Sequence, residues 1–138
     1  MRRVWVVCLA AALAACGGGG SGGGDGDGDQ AAFCDRLDRL TRNDPFLVFG
    51  DAATADEIEV AFEALVERAA ELLDVAPPEA RAAARDYAES AEALDALLAA
   101  AGYDGAAVDA RAYREQQVTY AEAAARLERY LTSECPTG

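Results

Sequence analysis

The chain has 138 residues, is 52% hydrophobic and carries a formal net charge of −13. All of its basic residues are arginine, and the absence of histidine and lysine removes the commonest general base, the serine triad, histidine metal ligands and Schiff-base chemistry. So acidic a surface repels phosphate backbones and anionic headgroups, which excludes nucleic-acid binding and attachment to a membrane through a basic patch.

The chain opens with Arg2 and Arg3, an uninterrupted apolar run over residues 4–12, and then Leu13-Ala14-Ala15-Cys16-Gly17. This is the order of a secretory signal, and the apolar run falls short of the about 20 residues that cross a bilayer. Leu13-Ala14-Ala15-Cys16 resembles the lipobox of bacterial lipoproteins, with leucine at −3, small residues at −2 and −1 and cysteine at +1. The resemblance implies that residues 1–15 are a signal peptide and that Cys16 becomes thioether-linked to diacylglycerol. The chain would then be held at the extracytoplasmic face of the cell membrane, since two acyl chains give stable anchoring. Gly17 stands where an aspartate would resemble an inner-membrane retention signal, which favours the outer membrane if the host has two. The alternative is an ordinary secreted protein in which Cys16 is incidental. With Cys8 removed and Cys16 lipidated, Cys34 and Cys135 remain as an even pair in an oxidising compartment, and a disulfide between them is expected. Two cysteines without histidine do not make a metal site.

Residues 16–29 read as the lipidated cysteine and a Gly/Asp-rich flexible tether, whose mean reach is about 20 Å. Asp25, Asp27 and Asp29 match the first three ligand positions of a calcium loop, but Gln30 and Arg36 occupy its glycine and closing glutamate positions, so the match fails. A domain over 30–138 follows. Its first helix is expected over 30–42, with Asp29 as N-cap and Phe33, Leu37 and Leu40 as its apolar stripe. Asn43-Asp44-Pro45 ends it, because a residue before proline is pushed out of the helical region. Phe46, Leu47, Val48 and Phe49 then form an apolar run in a connection. It reads either as a loop folded back on the core or as a partner contact.

Thr54-Ala55-Asp56-Glu57 is a capping box that starts a second helix reaching about Leu73. Ile58, Phe62, Leu65, Ala69 and Leu72 form its apolar stripe, and Glu59, Glu63, Glu67 and Glu71 a solvated row on another face. Pro77-Pro78 opens a third helix, in which Ala80, Ala84, Tyr87, Ala91, Leu94, Leu98 and Ala101 follow a four-three repeat up to Gly102. A short turn leads to Asp109, the expected cap of a fourth helix ending near Thr132. Its stripe is Tyr113, Gln117, Tyr120, Ala124, Leu127 and Leu131. Gln117 is the polar exception, placed to specify register or bond a neighbour, and Tyr113, Gln117 and Tyr120 are the candidate ligand-binding residues. An all-α, antiparallel four-helix bundle closed by Cys34–Cys135 is therefore expected, because an even number of passes returns both cysteines to one end.

From Phe33 to Cys135 the chain is also similar to small helical domains of actinobacterial secreted and lipid-anchored proteins. The resemblance rests on Cys34 early in the first helix, Ala76-Pro77-Pro78-Glu79, Ala101-Gly102-Tyr103-Asp104 and the closing Tyr130-Leu131-Thr132-Ser133-Glu134-Cys135. It carries no activity. Without catalytic residues, cofactor motif or metal ligands, the expected function is a non-catalytic interaction or cell-envelope accessory module with an envelope protein as partner. The alternative is a small-ligand or cation-binding lipoprotein.

Overall fold

The computed structural model describes residues 25–45 and 53–135, with side chains from residue 30 onward. The lipobox with Cys16, most of the tether, and Phe46, Leu47, Val48 and Phe49 lie outside the described residues. The described residues form four helices and no strand: α1 (Asp25–Arg42), α2 (Ala55–Asp74), α3 (Pro78–Ala100) and α4 (Ala110–Glu134). They pack as an antiparallel ring in which α2 lies on α3, α3 on α4, and α1 touches α2 and α4.

The helix boundaries follow local chemistry. The Thr54 hydroxyl accepts from the Glu57 amide at 3.3 Å, and the Glu57 carboxylate accepts from the Thr54 amide at 2.8 Å, so the capping box forms as expected. Pro78 occupies the first turn of α3, where its missing N–H is no loss. Asp109 caps α4 by accepting from the Arg111 and Ala112 amides at 2.9 and 2.8 Å. At the end of α3, the Tyr103 amide donates to Leu98 O at 2.8 Å and the Gly102 amide to Ala99 O at 3.0 Å, which is a Schellman motif. Gly102 supplies the required left-handed turn at φ 63°, but Tyr103 is left-handed as well, at φ 56°. A ring there costs on the order of 1 kcal/mol. It is compensated by burial of the ring and by a 2.9 Å hydrogen bond from its hydroxyl to Asp95.

Two expected boundaries move. Helix α1 already includes Asp25, so Asp29 is not its N-cap and the helix runs through residues 25–29 of the expected tether. Extending a helix already held by its neighbours is far cheaper than nucleating one. Helix α4 continues to Glu134, beyond Thr132.

The core is one cluster drawn from all four helices. Phe33, Leu37 and Leu40 face Phe62, Leu65, Ala69 and Leu72, while Ala80, Ala84, Ala88 and Ala91 let α3 approach its neighbours closely. On α4 the fully buried alanine is Ala123, and Ala124 is half-buried, because a four-residue step overshoots the 3.6-residue turn. Gln117 and Leu131 are likewise half-buried. Cys34 and Cys135 form a disulfide with Cα atoms 5.7 Å apart. Beside it, Phe33 and Tyr130 meet edge to face at 5.5 Å, and the Gln30 amide donates to Glu134 O at 3.0 Å. Surface ion pairs join Arg36 to Glu71 at 3.8 Å and Arg126 to Asp86 at 2.6 Å, each worth little by itself.

The bridge closes a span of 101 residues, for which chain entropy gives a stabilisation of about 2–5 kcal/mol. Replacing both Cys34 and Cys135 by serine should lower the unfolding free energy by that amount, and the urea midpoint with it, with the helical circular dichroism retained. An unchanged midpoint would mean that the bridge constrains a denatured state already compact.

Candidate functional site

Helix α1 is the short wall of the ring. It ends at Arg42, about two turns beyond the disulfide. Helices α3 and α4, with 23 and 25 residues, run about 35 Å. The groove between α2 and α4 is therefore covered by helix only at the disulfide end. Past Arg42 the chain continues along it as Asn43-Asp44-Pro45, with Pro45 buried.

Two features occupy that groove. The first is a polar relay. The Tyr87 and Tyr120 hydroxyls lie 2.5 Å apart, with ring centroids at 4.9 Å, and the Tyr120 hydroxyl donates to the Asp44 carboxylate at 3.1 Å. Since Tyr120 gives its proton to Asp44, Tyr87 is the donor to Tyr120. Burial pushes both hydroxyls above the ordinary tyrosine range. Tyr87 and the Asp44 charge add to the effect on Tyr120. For Tyr87 the Asp44 charge adds to the effect of burial and the more distant Arg68 opposes it. Both phenols stay neutral at physiological pH, so the relay positions the Asp44 backbone and carries no charge change. Among the described residues no buried side-chain polar atom lacks a partner.

The second feature is an apolar cavity of about 210 Å³, lined among the described residues by Pro45, Ile58, Phe62, Leu98, Gly105, Val108 and Tyr113. It sits at the end of the bundle remote from the disulfide, where the connection after α1, the start of α2, the end of α3 and the start of α4 converge. Of the expected ligand residues, only Tyr113 reaches it. Gln117 lies one turn away from Tyr113, and burial is the main cause of the raised Tyr113 ionisation. Tyr120 belongs to the relay instead. In the sequence Asp44 belongs to a helix stop and Tyr87 to a helix seam, and no local signal marks their meeting.

The acidic row on α2 is exposed along its length, and Glu71 is paired with Arg36. Among the described residues no group of three His, Cys, Asp or Glu side chains is placed to hold a metal ion, and no helix is long and apolar enough to cross a membrane. No protein-family model, curated protein or solved structure matches the chain.

Replacing Tyr120 by phenylalanine removes the hydroxyl that both Tyr87 and Asp44 use, and should cost about 1–3 kcal/mol in urea unfolding. Tyr87→Phe removes a single donor and should cost less. Equal costs would contradict the place of Tyr120 at the middle of the relay. Burial also raises all five tyrosines, with Tyr103 pushed up to about 12. The unfolded chain loses these protons near pH 10 and the folded chain only higher. Their contribution is therefore complete below about pH 10 and is lost as pH rises through the folded values. Ultraviolet phenolate absorbance should lag behind that of the urea-unfolded chain and rise together with alkaline unfolding.

Proposed function

We propose that this chain is a lipid-anchored, extracytoplasmic helical domain that acts without catalysis, as an interaction or cell-envelope accessory module. The lipobox-like Leu13-Ala14-Ala15-Cys16 supports the anchor, and the Cys34–Cys135 bridge suits an oxidising compartment. The observation that carries the module reading is the polarity of the bundle. The start of α1 and the disulfide occupy one end, and the apolar cavity opens at the other. A chain held at its N-terminus would present that cavity away from the membrane.

A second reading, a small-ligand-binding lipoprotein, is favoured by Tyr113 at the wall of the cavity. It calls for thermal stabilisation by a compact apolar ligand, and a flat response across such ligands would remove it.

In bacteria expressing the full chain, the protein should fractionate with membranes, enter a detergent phase and carry the mass of a lipid on Cys16. Cys16→Ser should abolish all three. A wild-type chain found soluble with Cys16 unmodified would end the anchoring proposal. In-cell crosslinking should then recover one reproducible envelope partner, and Phe46→Ser with Phe49→Ser should lose it if that segment makes the contact.

A further inference from the structure

Asp44-Pro45 is the only Asp-Pro dipeptide in the chain. Such a bond is the weakest peptide link in acid. The aspartate side chain can close a small ring onto its own main-chain carbonyl carbon, and proline offers a tertiary amide with a basic nitrogen to be expelled. An oxygen of the Asp44 carboxyl group attacks the Asp44 carbonyl carbon and forms an anhydride. The C–N bond to Pro45 breaks, its electron pair goes to the nitrogen, and that nitrogen takes a proton from the acid. Water then opens the anhydride, leaving Asp44 with a free carboxyl group and Pro45 with a free amine. The net reaction adds one water across the bond and needs no other reactant.

The fold restrains both groups that this reaction uses. The Tyr120 hydroxyl donates to Asp44 Oδ2 at 3.1 Å, and Tyr120 is itself fixed by Tyr87 at 2.5 Å, with both rings buried. The carboxylate must give up a charge-assisted hydrogen bond before it turns on its own backbone. Pro45 is buried and lines the apolar cavity, so its nitrogen is screened from the acid. Around Asp44, α4 contributes Tyr120, α3 contributes Tyr87, and α2 the more distant Arg68, whose charge reaches the relay. On α1 itself Arg42 is paired with Asp38 and Arg39 with Asp35. Asp44 has a further contact besides.

From this geometry we infer that Asp44–Pro45 is a latent self-cleavage site, which the Tyr87–Tyr120 relay keeps intact by holding the Asp44 carboxylate. Cleavage then follows the fraction of molecules in which Asp44 has locally left Tyr120, rather than the fraction globally unfolded. The inference goes beyond the interaction-module reading and does not depend on it.

The test incubates the full chain in the most acidic buffer in which circular dichroism still shows the native helix content, and in the same buffer with urea. After reduction of the Cys34–Cys135 bridge, mass spectrometry reads the pieces 1–44 and 45–138 against the intact chain. The folded chain should part at this bond far more slowly than the unfolded one. Tyr120→Phe should speed cleavage of the folded chain about tenfold, the equivalent of one such hydrogen bond. Two controls separate this from lost global stability, each checked for its fold by circular dichroism. Leu127→Ala opens a hole in the core two turns along α4, and Tyr87→Phe keeps the bond from Tyr120 to Asp44, so both should speed cleavage less. In urea, Asp44→Ala removes the attacking group and should stop the reaction. Equal rates for the folded and unfolded chains would overturn the proposal, as would a Tyr120→Phe chain no faster than wild type. An equal or greater gain from Leu127→Ala would overturn it by making global unfolding the route. Continued cleavage of the Asp44→Ala chain would overturn the chemistry.

Discussion

The ring of helices depends on how α1 is held. The other three helices follow one another through short connections and bury a shared seam, whereas α1 is brief and reaches the next described helix only at Ala55. A disulfide between Cys34 and Cys135 fixes it against the end of α4. The Phe33–Tyr130 contact and the Gln30 bond then fall into register beside that fixed point. At the other end of α1, the hydrogen bond from Tyr120 to Asp44 guides the chain as it leaves the helix. The wall is thus pinned covalently at one end and by a charge-assisted hydrogen bond at the other.

The need for pinning follows from composition. Much of the seam is alanine, including Ala69, Ala80, Ala84, Ala91 and Ala123. Alanine permits close helix approach and costs no side-chain entropy, but it removes little apolar area per residue from water. The larger contributions come from Phe33, Leu37, Leu65, Leu72, Tyr87, Leu94 and Leu127, all almost fully buried. Both Tyr87 and Tyr120 bring a hydroxyl into this interior, and each is accommodated because the other and Asp44 complete the bonds. The same pair that fills volume therefore fixes the path of the chain past Arg42.

Local chemistry was legible in the sequence. The Thr54–Glu57 box, Pro78 at the first turn of α3, Gly102 at its end and the Asp109 cap each depend on a few adjacent residues. The four-helix count and the cysteine pairing were legible because parity of passes constrains where the two ends lie. What escaped was set by tertiary context. Glycines between Asp25 and Asp29 argued for coil, yet a helix anchored downstream extends through them. Tyr103 takes a backbone conformation that its residue type disfavours, held there by Asp95. The bond from Tyr120 to Asp44 joins residues 76 apart, beyond any local pattern. Tyr113 lines the cavity whereas Gln117 and Tyr120 do not, a difference hidden in the sequence because a four-three repeat does not separate the side of a stripe from its centre.

The bridge also changes the topology of the molecule. Residues 34–135 form a closed covalent loop that contains nearly all of the described bundle. A protease that cuts once in an exposed connection, such as the Gly105 turn between α3 and α4, opens the loop and releases nothing. Both pieces stay joined through sulfur, and the nicked bundle keeps every helix next to its former neighbours. Shedding a fragment takes two cuts, or one cut and a reductant. Outside a cell, where proteases are common and reductants scarce, such a molecule outlasts its first injury.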